Sequence, residues 1–126
     1  MNCPKCAAAF EKISFGEVEV DRCLKCKGLW FDILEKEDLV LIEGSEAIDI
    51  GSDQVGEEYS SLRQIRCPHC SVKMLPMVDK DQFHIKYESC PICFGTFFDA
   101  GEFRDLKEHT VLERFIEMLQ TLRTNL

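Results

Sequence analysis

The sequence predicts a small α+β fold built twice over, each copy a β-hairpin with a short third strand followed by a helix. Three observations predict it. The eight cysteines fall into two quartets: Cys3-Pro4-Lys5-Cys6 with Cys23-Leu24-Lys25-Cys26, and Cys67-Pro68-His69-Cys70 with Cys90-Pro91-Ile92-Cys93. From Cys23 onward an offset of 67 residues superimposes the halves, carrying Gly28, Trp30, Phe31, Asp32 and Glu35 onto Gly95, Phe97, Phe98, Asp99 and Glu102. Between the paired cysteines, apolar and polar residues alternate with the period of a strand.

A C-x2-C pair sets two thiolates on one tight turn at a bite that suits a tetrahedral ion, and two pairs close its shell. The chain is therefore expected to hold two structural Zn2+ ions. Cys3, Cys6, Cys23 and Cys26 form one site; Cys67, Cys70, Cys90 and Cys93 form the other. Four thiolates leave no open coordination position, so no catalytic residue is expected. A thiol–disulfide role calls for a C-x2-C that stands alone, and here each pair has a mate. A secreted disulfide framework is opposed by the lack of an apolar signal segment ahead of Cys3. The expected setting is the reducing cytoplasm. The longest aliphatic run, Leu39-Val40-Leu41-Ile42, is too short to span a bilayer.

Size and charge narrow the classes further. Each repeat is roughly forty residues, near the length below which a hydrophobic core alone seldom suffices. Metal capture supplies what is missing, because it is coupled to folding. The formal net charge is −8, of which −6 lies in residues 43–62, which hold six acids and no base. Two zinc ions on eight thiolates take the total to about −12. Such a chain repels a phosphate backbone at long range, which counts against strong nonspecific nucleic-acid binding.

In chain order, Ile13-Ser14-Phe15 and Val18-Glu19-Val20-Asp21 read as a hairpin about Gly16-Glu17. Met77-Val78 and Phe83–Tyr87 repeat it about Asp79-Lys80-Asp81. Gly28 and Gly95 read as turn residues of positive φ. Trp30-Phe31 and Phe97-Phe98 are expected as short third strands over the sites. Asp32 with Glu35, and Asp99 with Glu102, have the spacing of a helix N-cap and its partner. The first helix is expected from about Ile33 to Ile42, stopping near Gly44. The second is expected to be longer, since Leu112, Phe115, Ile116, Leu119, Leu122 and Leu126 continue at three-and-four spacing. The organisation is thus 1–42, a zinc ribbon with a short helix; 43–62, an acidic linker; and 63–126, a second ribbon with a long amphipathic helix.

The C-P-x-C knuckle, the C-x2-C-x-G-x-W-F-D segment and the E-x-x-x-L that follows resemble the bacterial zinc-ribbon family named after transcription factor IIB. The second copy has Phe97 for the tryptophan and keeps Asp99-Ala100-Gly101-Glu102, close to the D-x-G-E-L ending. The resemblance implies a non-catalytic zinc ribbon of a group labelled nucleic-acid-binding or transcription-related.

These readings converge on a binding module for a protein partner in or near the gene-expression machinery. The C-terminal stripe from Leu112 to Leu126 is the expected partner or self-association face, although about two heptads are too short for an isolated coiled coil. Two alternatives compete. Lys5, Arg22, Lys25 and Lys27 cluster around the first ribbon's knuckles and would face nucleic acid or an acidic partner. Zinc ejection on oxidation, or a chaperone-like role, would make the chain a zinc-thiolate sensor. The aromatics beside the sites read as a miniature core rather than base-stacking platforms. His69 reads as facing water, and neither His84 nor His109 reads as a ligand or base.

Overall fold

The computed structural model describes residues 1–33, 39, 44–62, 64–78 and 85–107. The first hairpin pairs β1 (Phe10–Phe15) with β2 (Val18–Cys23), closing through a two-residue turn at Gly16 and Glu17. β3 (Leu29–Phe31) returns antiparallel beside β2. The second copy repeats this with β4 (Leu75–Val78), β5 (Lys86–Ser89) and β6 (Thr96–Phe98). Among the described residues the helical elements are a 3-10 turn at Ser45–Ile48, α1 (Asp53–Ser60), Leu39, and α2 at 102–107. None of them is long and apolar enough to cross a membrane.

The two ribbons are not separate domains. β3 and β6 pair with each other, so all six strands form one antiparallel sheet in the order β1-β2-β3-β6-β5-β4. The register sets Leu29 opposite Phe98, Trp30 opposite Phe97, and Phe31 opposite Thr96. Trp30 and Phe97 are repeat equivalents, so a pseudo-twofold axis runs between them and the duplicated chain is folded as an internal dimer. The isologous contact follows the rule for C2 interfaces, with one patch meeting its own copy.

Each face of the sheet carries its own core. Trp30 and Phe97 lie with cysteines of both quartets, together with Ile65 and Met74. Leu29, Phe31 and Phe98 point the other way, onto Val20, Leu39, Ile48, Ile85, Phe103 and Leu106. Both strands are buried on both faces, which is why LWF and TFF show no alternation of apolar with exposed polar residues. Tyr87 stacks on Phe98 with centroids 4.8 Å apart, and Phe31 meets Phe98 edge-on at 5.6 Å.

Gly28 and Gly95 have a different role from the one their position suggests. The left-handed residues of the knuckles are Ala7, Lys27, Ser71 and Phe94, with φ between 60° and 65°. Each directly follows the second cysteine of its pair. The glycines are required for space instead. A Cβ on Gly28 would lie far inside contact distance of Phe97 Cζ, and one on Gly95 far inside that of Trp30 Cζ2. Each ribbon therefore leaves a glycine gap that the other ribbon's aromatic fills.

The acidic segment expected as a linker is docked over residues 44–62. Ile48 enters the core, and α1 crosses so close to Ala100 that a Cβ on Gly56 would strike its carbonyl. Asp49, 2% exposed, accepts from the backbone N–H of Gly101 at 2.9 Å and of Arg104 at 3.0 Å. It therefore caps α2 from 52 residues before Gly101, the role the sequence assigns to Asp99, whose carboxylate is engaged elsewhere. Arg104 closes the contact on the Asp49 carbonyl at 2.7 Å and on Asp53 at 2.8 Å. Lys107 reaches Ser45 Oγ at 2.7 Å and Glu46 at 2.9 Å. Asp49→Ala should cost about 1–2 kcal/mol, the range for a lost helix cap. Thermal unfolding of the zinc-loaded chain checks this, and an unchanged midpoint would speak against a structural cap.

The helix expected at Ile33–Ile42 is described only at Ile33 and Leu39; Leu39 is helical and fully buried in the second core. The turn at 79–84 with His84, and residues 108–126 with His109, Leu112, Phe115, Ile116, Leu119, Leu122 and Leu126, lie outside the described residues.

Candidate metal centre

Four knuckles of one design build the two sites. In three of them the residue after the second cysteine donates its N–H to the first cysteine's carbonyl: Ala7 to Cys3 and Ser71 to Cys67 at 2.9 Å, and Phe94 to Cys90 at 3.0 Å. Further backbone N–H groups point at sulfur. Lys25 donates to Cys23 at 3.4 Å, Cys70 to Cys67 at 3.3 Å, and Ile92 to Cys90 at 3.4 Å. Hydrogen bonds of this kind favour the thiolate over the thiol.

Strand pairing brings the knuckles together. Cys3, Cys6, Cys23 and Cys26 converge with their sulfurs all within 4.8 Å of one another, and Cys67, Cys70, Cys90 and Cys93 do the same. All eight are free thiols. Separations are 3.7 Å for Cys3–Cys26, 3.3 Å for Cys6–Cys23 and 3.7 Å for Cys67–Cys93. Zn–S bonds of about 2.3 Å in a tetrahedron put sulfurs about 3.8 Å apart, so the quartets fit zinc.

The electrostatics call for a cation. The contact with Cys26 and burial push the Cys3 thiol far up, while the same contact brings Cys26 down to about 5. Burial raises Cys67 to about 12. Burial also opposes ionisation of Cys90, yet the N–H groups of Cys93 and Ile92 bring it down to about 7. Four sulfurs this close cannot all ionise unaided. A divalent ion removes the conflict by binding all four as thiolates.

The structure redistributes the basic residues grouped around the first knuckles. Lys5 is not on an open face. Its ammonium is buried against the second ribbon, 2.8 Å from Glu88, 3.1 Å from Asp99 and 2.8 Å from the Tyr59 carbonyl. Arg22 is held by Glu11 at 2.8 Å and by the Ile48 carbonyl at 3.0 Å. Lys25 is exposed and Lys27 half-buried. The pseudo-symmetric counterpart of Lys5 is His69, which is more open, with 47% of its side chain exposed. His69 approaches Asp32 at 3.9 Å and the Trp30 ring at 5.6 Å, and the Trp30 indole donates to Asp32 at 3.1 Å. In both halves, then, the residue inside the first knuckle reaches the aspartate that follows the third strand of the other half. No local pattern in the sequence announces this cross-pairing. The only hint is that the aspartate recurs in both copies.

Paired hairpins, third strands and two closed four-cysteine centres define a tandem zinc ribbon with two structural zinc ions. Residues 2–41 and 66–109 each match the transcription factor zinc-finger family. The two matches cover well over half of the chain, and the protein belongs to that family. No match was found among curated proteins or among solved structures.

Proposed function

We propose that the protein is a non-catalytic, zinc-held interaction module of the reducing cytoplasm that binds a protein partner through its second ribbon. One observation carries the reading. Leu75, Met77, Val78, Ile92 and Phe94 are exposed by 39–64% on β4 and the adjoining knuckle. At four of these five positions the first ribbon has Glu11, Ser14, Lys25 and Lys27. At these four positions the duplicated scaffold is thus charged or polar on one copy and apolar on the other, as expected where one copy meets a partner. The family's description supports a partner in or near the gene-expression machinery. The C-terminal stripe from Leu112 to Leu126, read from sequence alone, would add a second partner or self-association face.

Binding by this surface should survive high salt, whereas phosphate contacts weaken steeply with ionic strength. Leu75→Glu with Phe94→Glu in the full chain should abolish capture of the partner while leaving zinc content unchanged. Undiminished capture by that variant would end the proposal. Salt-sensitive retention of DNA or RNA, lost on changing Lys25 and Lys27 to Glu, would support the nucleic-acid reading instead.

A further inference from the structure

The geometry points to a single cooperative unit made of both zinc sites: we propose that emptying either quartet releases the other, so no half-loaded chain accumulates. The inference is independent of what the apolar face binds.

Three physical links join the sites. Ligands of both quartets share one buried cluster with Trp30 and Phe97, so neither site has a core of its own. A repeat of roughly forty residues cannot replace that shared core once its neighbour unfolds. The second link is steric. Gly28 follows ligand Cys26 by two residues and lies under Phe97, while Gly95 follows Cys93 by two and lies under Trp30. The ring that seats each knuckle belongs to the other ribbon.

The third link is ionic. Lys5 stands between ligands Cys3 and Cys6, and its ammonium is 2.8 Å from Glu88, two residues before ligand Cys90. It also holds Asp99 at 3.1 Å, and none of the three side chains is more than 1% exposed. Opening the second ribbon would take away both carboxylates and the surface that buries the ammonium, so the first knuckle loses this contact whenever the second ribbon unfolds. Because zinc binding and folding are one equilibrium in small metal domains, coupling between the folds is coupling between the ions. The same reciprocity makes the apolar face of the second ribbon dependent on zinc in the first.

The test uses the full zinc-loaded chain titrated with EDTA and read by native mass spectrometry. The expected result is direct passage from the two-zinc to the zinc-free form, with the one-zinc species below about a tenth throughout. Independent, equal sites would put about half of the molecules there at the midpoint, and that outcome would overturn the proposal. A second variant, Cys67→Ser with Cys90→Ser, leaves the first quartet intact. Competition with a chromophoric chelator should show the first site's zinc affinity falling at least about tenfold. Unchanged affinity there would also overturn it.

Discussion

Removing the zinc ions should erase the sheet rather than loosen it. Excess chelator is expected to abolish the strand circular dichroism and the near-ultraviolet signal of Trp30, and added zinc should restore both. The magnitudes favour this outcome. Structural zinc contributes about 10–16 kcal/mol in zinc-finger peptides near neutral pH, while whole domains are stable by about 5–15 kcal/mol. The cysteines are themselves core residues: Cys23 and Cys90 are 0% exposed, Cys67 is 2%, and Cys3 and Cys26 are 3%. Without the ion, the quartet sulfurs are left packed within 4.8 Å, with burial and mutual contact raising Cys3 and Cys67. Acid should act like chelator. Thiolates must lose protons to bind metal, so affinity falls as pH falls and the chain unfolds on acidification. A chelated chain that kept its strand signal would contradict the account.

Lys5→Met should be among the most damaging substitutions outside the cysteines, at about 3–5 kcal/mol, the range for breaking one side of a buried ion pair. Methionine keeps much of the volume, so the loss reports the missing charge beside Glu88 and Asp99. The pH dependence has a definite sign. Burial already holds the Asp99 carboxyl at about 6, against the pull of Lys5. A carboxyl whose folded pKa is raised costs stability above that value and returns it as pH falls through it. Losing Lys5 raises Asp99 further, so the gap between variant and parent should be widest above the variant's raised value and should close as pH falls toward about 6. Denaturant midpoints at several pH values, with zinc in excess, measure it. Lys25→Met, at an exposed position, should stay within about 0.5 kcal/mol of the parent. Equal midpoints for the two variants would remove Lys5 from the account.

The parts legible in the sequence are those set by short-range chemistry. C-x2-C spacing fixes the ligands, and alternation about Gly16-Glu17 fixes the first hairpin. The 67-residue offset shows the duplication. The seam was not legible, because β3 and β6 are three residues each and buried on both sides, so nothing in them names a partner strand. Gly28 and Gly95 look like turn residues until the opposite ring is in place; the repeated Gly-x-aromatic spacing was the available clue. Acids and glycines in 44–62 read as linker by composition. Yet Asp49 caps a helix, and Gly51 and Gly56 permit close approach to Ala100. Lys5 carries no local sign of burial, since its carboxylates lie 83 and 94 residues away along the chain.

The most direct test of the whole account is the metal content of protein purified without chelator or reductant, taken together with its free-thiol count after denaturation. Two zinc ions per chain and eight titratable thiols are the predicted result. Folded, metal-free protein whose cysteines are joined as disulfides would contradict it.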